Sequence, residues 1–168
     1  MPKKSTSKKT KTYIDLLIED HDKVRALFKK FEKTEDDNEK LRIVETALTE
    51  LKIHTTIEEE IVYPAFRESG VVEEDMMDEA DEEHAVAKYL MEQLETMEPG
   101  DDHYDAKFTV LGEIIEHHAD EEEEEIFPDA RKSKEIDSEE ITARLLERKN
   151  ELAEELGLEL AESHKKSY

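Results

Sequence analysis

Two stretches of the chain carry residue types that can do chemistry at fixed spacing. The first is His54-Thr55-Thr56-Ile57-Glu58-Glu59-Glu60-Ile61-Val62-Tyr63-Pro64. The second, 64 positions later, is His118-Ala119-Asp120-Glu121-Glu122-Glu123-Glu124-Glu125-Ile126-Phe127-Pro128. A His, a Glu four residues on, an aromatic residue and a Pro fall in step in both. On a helix, residues four apart lie one turn above the other on a single face. An imidazole over a carboxylate on one inward face is a two-point grip for a metal ion, and two such grips facing each other would hold two ions.

The repeat extends upstream. Leu17-Ile18-Glu19-Asp20-His21 matches Ala80-Asp81-Glu82-Glu83-His84 at an offset of 63. The chain therefore looks like two related helical hairpins, each giving a His from its first helix and a His plus a Glu from its second. Pseudo-twofold packing would place His21, His54, Glu58, His84, His118 and Glu122 in one layer.

The elements that must position these groups are all helical. Ile14, Leu17, Ile18, His21, Val24, Phe28 and Phe31 are at helical spacing, predicting a helix from Thr10 or Thr12 to about Lys33. A second, from about Glu39 to Arg67, carries the stripe Val44, Ala47, Leu48, Leu51, His54, Glu58, Ile61 and Val62. Pro64 should kink its last turn without ending it, and Ser69-Gly70 is a turn. A third, from about Val72 to Met97, turns Met77, Ala80, His84, Ala87, Met91 and Leu94 inward. After the break Glu98-Pro99-Gly100-Asp101, a fourth runs from about Asp102 to Arg131, with Phe108, Leu111, Ile115, His118, Glu122 and Ile126 inward. Asp137-Ser138-Glu139-Glu140 resembles a capping box and opens a fifth helix to about Leu156, stopped by Gly157. The expected fold is all-α: an up-down-up-down four-helix bundle over 13–132, a basic disordered tail at 1–12, and a C-terminal helix and tail at 133–168.

Each candidate must be set against a plainer role. A lone histidine on an apolar stripe is usually a hydrogen-bonded core residue. Four at matching depths, each interrupting an apolar stripe, are a different matter. Glu58 and Glu122 lie where the bundle should be dry, and an unpaired buried carboxylate costs several kcal/mol or becomes neutral. Cations in that layer remove the penalty. Interior salt bridges are the rival, but only Lys88 stands near the layer on an inward face. In the acidic run, Glu122 alone has the phase of the stripe. Asp120, Glu123 and Glu124 read as a solvated face, and His117 as a surface or supporting residue. Tyr89, one turn from His84, reads as packing.

Composition narrows the alternatives. Charged residues make up 43% of the 168 residues and hydrophobic ones 36%, with four Gly and four Pro, a helical composition with a narrow core. There is no cysteine, which excludes disulfides, zinc ribbons and thiol nucleophiles and leaves nitrogen and oxygen as ligands. No apolar run approaches the ~20 residues of a membrane span. A net charge of −24 repels nucleic acid and anionic membranes, although the first twelve residues carry five Lys and no acid. A soluble cytoplasmic protein is the expectation.

His21, His54-x-x-x-Glu58, His84 and His118-x-x-x-Glu122, with Tyr63-Pro64 and Phe127-Pro128 behind the two pairs, resemble the hemerythrin-like (HHE cation-binding) family over about Tyr13 to Lys132. The resemblance implies a non-haem di-iron centre: four terminal histidines, Glu58 and Glu122 bridging, and an oxo or hydroxo group between the two iron ions. Oxygen-carrying hemerythrins have a fifth His where this chain has Ala80. That leaves an additional open position or a substitute ligand, for which Asp81 and Glu59 are the candidates. The implied function is binding, storing or sensing dioxygen or a related small molecule such as peroxide or nitric oxide. The alternatives are a di-iron enzyme consuming peroxide or nitric oxide and an iron-responsive regulatory module. The fifth helix, outside the resemblance, is expected to serve a protein partner or self-association.

Overall fold

The computed structural model describes residues 10–157; most of the basic tail expected at 1–12, and the tail that ends the expected 133–168 segment, lie outside them. Five long helical elements follow one another. Helix α1 is Tyr13–Lys33. Helix α2 runs through Asp37–Ile57, a π-helical turn Glu58–Val62, and Tyr63–Ser69. Helix α3 is Glu74–Glu95. Helix α4 runs through Tyr104–Glu121, a π-helical turn Glu122–Ile126, and Phe127–Lys132. Helix α5 is Ser138–Glu155. These bounds lie within about two residues of most of the expected ends, the usual uncertainty of helix termini.

Local chemistry sets the ends. At the start of α1, Thr12 Oγ1 accepts from the Asp15 amide and Asp15 accepts from the Thr12 amide at 3.0 Å, a reciprocal capping box. Gly70, at φ +70°, ends α2 in the left-handed conformation that a side chain would strain. Asp137 caps α5 by accepting from the Glu140 amide at 3.2 Å.

The two π turns mark the prolines. Pro64 and Pro128 lack an amide proton, and their rings crowd the carbonyl four residues back. Each helix responds by admitting one more residue into the turn before the proline. The Tyr63 amide reaches the Glu58 carbonyl and the Phe127 amide reaches the Glu122 carbonyl. The helices continue beyond both prolines, as expected, but widened rather than merely kinked.

Helices α1 to α4 close a ring in which α1 packs on α2 and α4, and α3 packs on the same two. Short connections make neighbours antiparallel. At the α1–α4 contact Gly112 allows close approach, since a Cβ there would stand 2.7 Å from the Phe28 ring. The core is two apolar clusters. One gathers Ile14, Leu17, Tyr63, Phe66, Met77 and Phe127. The other gathers Val24, Phe31, Leu51, Met91, Phe108 and Leu111. A polar layer separates them.

Helix α5 is not a free surface. Its Ile141, Leu145 and Leu152 are buried in the first cluster, beside Tyr13, Ile53 and Ile57, and Thr142 Oγ1 accepts from the Tyr13 amide at 2.8 Å. Each such side chain contributes on the order of 1.5–3 kcal/mol. This packing buries a second face of α2, including Ile53 and Ile57, which the expected stripe does not contain. Ile141, Leu145 and Leu152 are thus used within the chain, while Leu146 of the same helix stays exposed.

Candidate metal centre

The polar layer consists of the six side chains singled out by spacing. His21 comes from α1, His54 and Glu58 from α2, His84 from α3, and His118 and Glu122 from α4; none is more than 5% exposed. His21 Nε2 lies 3.1 Å from Glu122 Oε1, and His54 Nε2 lies 3.2 Å from Glu58 Oε1. Across the layer, His84 Nε2 is 3.2 Å from Glu58 Oε1 and 3.1 Å from His118 Nε2. His118 Nε2 is 3.5 Å from Glu122 Oε2. Donor atoms of His21, His54, Glu58 and Glu122 lie within 4.8 Å of one another, as do those of Glu58, His84 and His118. Glu58 belongs to both groups.

Every imidazole is held from behind by a carboxylate. His21 Nδ1 is 2.7 Å from Glu123, His54 Nδ1 is 3.1 Å from Asp20, His84 Nδ1 is 2.8 Å from Glu59, and His118 Nδ1 is 2.8 Å from Glu83. An ionised carboxylate only accepts, so each Nδ1 carries the proton and each Nε2 faces the layer, the arrangement that orients metal-binding histidines. All four acids are sequence neighbours of layer residues, which places them one helical step away. Three have a cationic side chain behind them: Arg25 on Glu123 at 2.8 Å, Lys88 on Glu59 at 2.6 Å, and Lys149 of α5 on Asp20.

With no cation present, protons take up the interior negative charge. Burial alone would push the His54 imidazole down, but Glu58 and Asp20 outweigh it and hold its pKa at about 10. His118 is raised well above the ordinary value against the same desolvation, by Glu122, Glu58 and Glu83. Burial would raise Glu58, yet His54, His118 and His84 hold it well below the carboxylate range. A cation substitutes for those protons, so the chemistry of the donor set suits a metal.

Spacing alone did not single out Tyr63. Its hydroxyl donates to Glu122 Oε2 at 2.7 Å and stands 2.9 Å from His118 Nε2, 3.3 Å from His84 Nε2 and 3.4 Å from Glu58 Oε1. Burial, then the charges of Glu122 and Glu58, push the phenol well above its usual pKa. The signal was the π turn: five residues along an α-helix put Tyr63 about 140° from Glu58, whereas the wider turn brings both to the centre. Its counterpart in the repeat, Phe127, stacks on His21 at 6.0 Å and 7° and brings no oxygen. The two halves of the layer therefore differ. Tyr63 partners the His84–His118 side, while His21 Nε2, His54 Nε2, Glu58 Oε2 and Glu122 Oε1 are buried without a hydrogen-bond partner. Groups so placed are costly unless an ion takes them up.

Above the histidines lies a cavity of about 10 Å³ walled by Val24, Leu51, Ile115, Ala119, Asp20, Thr55 and the four histidines. It holds roughly one water-sized molecule. The other singled-out residues fall outside the centre. Asp81 pairs with Arg67 at 2.9 Å, and Glu59 backs His84, so neither takes the position opened by Ala80; Tyr63 Oη stands among the donors instead. Glu123, read as a solvated acid, is the partner of His21. Tyr89 is 63% exposed and does not pack. Lys88 stands behind Glu59, not in the layer. His117 points to solvent, His103 sits at the start of α4, and His164 lies outside the described residues.

A four-helix bundle with a buried histidine–carboxylate layer defines a cation-binding protein. Residues 12–130 match the model of the family described as the hemerythrin HHE cation binding domain, and the chain belongs to that family. It resembles a crystal structure of a hemerythrin HHE cation binding domain-containing protein from Mycobacterium kansasii, with a TM-score of 0.73 at 22% identity, covering 90% of this chain and 93% of that one. It is also 28% identical over 113 residues to a Nostoc sp. protein named a DNA nickase, a match covering 67% of this chain. The match spans about a third of that relative's length, 32%. No described helix is long and apolar enough to cross a membrane.

Proposed function

We propose that His21, His54, Glu58, His84, His118 and Glu122 would hold two iron ions, with Glu58 common to the two donor groups, and that the protein binds or senses a small ligand there. The observation that carries this reading is the sharing of Glu58 between two buried donor groups, which a single ion does not require. Iron in such a site supplies a reversible ferrous–ferric couple and a position for a small molecule. The Tyr63 hydroxyl lies within reach of the His84–His118 side, whereas Phe127, stacked on His21, brings no hydroxyl to the other.

The small cavity, about 10 Å³, supports a ligand of very few atoms, such as dioxygen, nitric oxide or peroxide. Its wall favours binding over turnover. Apart from the candidate ligands its polar members are Asp20 and Thr55. Asp20 is engaged by His54 and Lys149, and Thr55 donates to the Lys52 carbonyl. Beyond these two the wall offers no further acid or base for sustained peroxide or nitric oxide consumption.

Metal analysis of the purified protein together with its near-ultraviolet and visible spectrum tests the centre. About two irons per chain with bridged-ferric bands are expected, followed by stoichiometric, reversible uptake of nitric oxide or dioxygen. Sustained peroxide loss would favour the enzyme instead. The Nostoc relative is named a DNA nickase, but a chain of net charge −24 opposes contact with phosphates. Incubation with supercoiled plasmid and Mg²⁺ or Mn²⁺ should leave the plasmid uncut.

A further inference from the structure

The sequence holds a second His-x-x-x-Glu pair on α4, one residue out of phase with the first. His117 and Glu121 have the same spacing as His118 and Glu122, but the helical step of about 100° turns them outward. There they meet Glu83 of α3. His117 Nε2 lies 3.4 Å from Glu83 Oε2 and 3.5 Å from Glu121 Oε2, and the donor atoms of all three lie within 4.8 Å of one another.

The pseudo-twofold repeat shows what is unusual here. Among the described residues, the carboxylates behind His21, His54 and His84 each have a lysine or arginine on their outer side. Glu83, behind His118, has no Lys or Arg among the described residues; its outer oxygen faces His117. Glu121, next to it, likewise pairs with no Lys or Arg among the described residues. Where the other three positions carry a fixed cation, this one has an imidazole, two carboxylates and an excess of negative charge.

We propose that Glu83, His117 and Glu121 form a third, solvent-open site for a first-row divalent cation such as Zn²⁺, Mn²⁺ or Fe²⁺. The donor set of one imidazole and two carboxylates suits these ions over Ca²⁺ or Mg²⁺. The carboxylates are mostly enclosed, at 22% and 18% exposed, while His117 is 71% exposed, so waters complete the coordination. The ion stands where Lys149 stands for Asp20. Since Glu83 Oε1 bonds His118 Nδ1 at 2.8 Å, it lies one carboxylate away from the buried layer. The site rests on its own geometry and does not depend on which metal that layer holds.

The test is Zn²⁺ binding by equilibrium dialysis to protein already saturated at its tight sites, in excess Mg²⁺ to occupy plain carboxylate clusters. One additional equivalent is expected. His117→Ala, at an exposed position, and the near-isosteric Glu121→Gln should each weaken it at least tenfold, while the tightly held metal and the thermal melt stay as in the parent. His103→Ala, which changes a histidine remote from the cluster, should leave the additional equivalent intact. As a second measurement, Mn²⁺ should broaden the His117 ring resonances before those of His103. Equal Zn²⁺ binding by the parent, His117→Ala and Glu121→Gln, or Mn²⁺ broadening without preference for His117, would show that the cluster is only a set of surface ion pairs.

Discussion

Tyr63 and Glu58 are five residues apart on one helix, yet both reach the centre of the bundle, joined by the Tyr63 amide donating to the Glu58 carbonyl. The same turn brings the Tyr63 hydroxyl to 3.4 Å from Glu58 Oε1 and 2.7 Å from Glu122 Oε2. Pro64 and the π turn before it therefore have a consequence for the site. They convert a residue that an α-helix would turn aside into a member of the layer.

Tyr63→Phe should fold, since Phe127 already occupies the equivalent place in the second half. The substitution removes a hydroxyl facing four donor atoms. In the iron-loaded protein the expected result is a shifted near-ultraviolet and visible spectrum, since Glu122 loses a hydrogen bond, with iron content retained and helicity unchanged by circular dichroism. A spectrum identical to that of the parent would remove Tyr63 from the centre.

Helix α5 reaches the site through Lys149, which pairs with Asp20, which in turn holds His54 Nδ1 at 3.1 Å. Groups that orient a ligand in this way are typically worth about 10–100-fold in metal affinity. Asp20→Asn should weaken binding in that range, because the amide no longer offers two charged acceptors. Lys149→Met should weaken it less, since Asp20 remains. Competition against a chelator of known affinity gives both values, and no change in either variant would leave α5 as packing alone.

The metal-free protein should lose stability as pH rises. His54 has a folded pKa of about 10 against the ordinary 6.5, so its contribution is fully present below pH 6.5 and is lost on the way to pH 10. Glu58, lowered well below 4.5, contributes above that pH and loses its effect only in stronger acid. The metal-free melting temperature should therefore be highest between about pH 4.5 and 6.5 and fall toward pH 10. Bound metal takes the place of those protons, so the loaded protein should not show that alkaline fall. Parallel melts of the two forms across this range check the sign; a metal-free protein that gains stability on the alkaline side contradicts it.

Much of this was legible because helical spacing reports the inward face directly. All six layer residues, and nearly every apolar residue on the four stripes, are buried as the 3.6-residue period implies. Three features lay outside that period. The π turns change the phase after Glu58 and Glu122, so Tyr63 fell off the stripe. Asp20, Glu59, Glu83 and Glu123 sit one residue from a member of the layer and look like surface acids until two helices are brought side by side. Ile53 and Ile57 are buried only because α5 returns across α2, a long-range contact that local pattern does not encode.

Leu51 lies in the wall of the small cavity above the histidines, whereas Leu94 belongs to the same apolar cluster but not to that wall. Truncating either to Ala should cost about 2–5 kcal/mol, so the pair separates access from stability. Leu51→Ala enlarges the space beside His21 and His54, the side without a phenol, and should speed nitric oxide uptake and iron autoxidation several-fold. Leu94→Ala should match it in melting temperature while keeping the parent's rates. Stopped-flow absorbance on the reduced, iron-loaded proteins gives the comparison. If the two variants accelerate equally, general loosening of the bundle is responsible, and the cavity is not the route by which a small molecule reaches the layer.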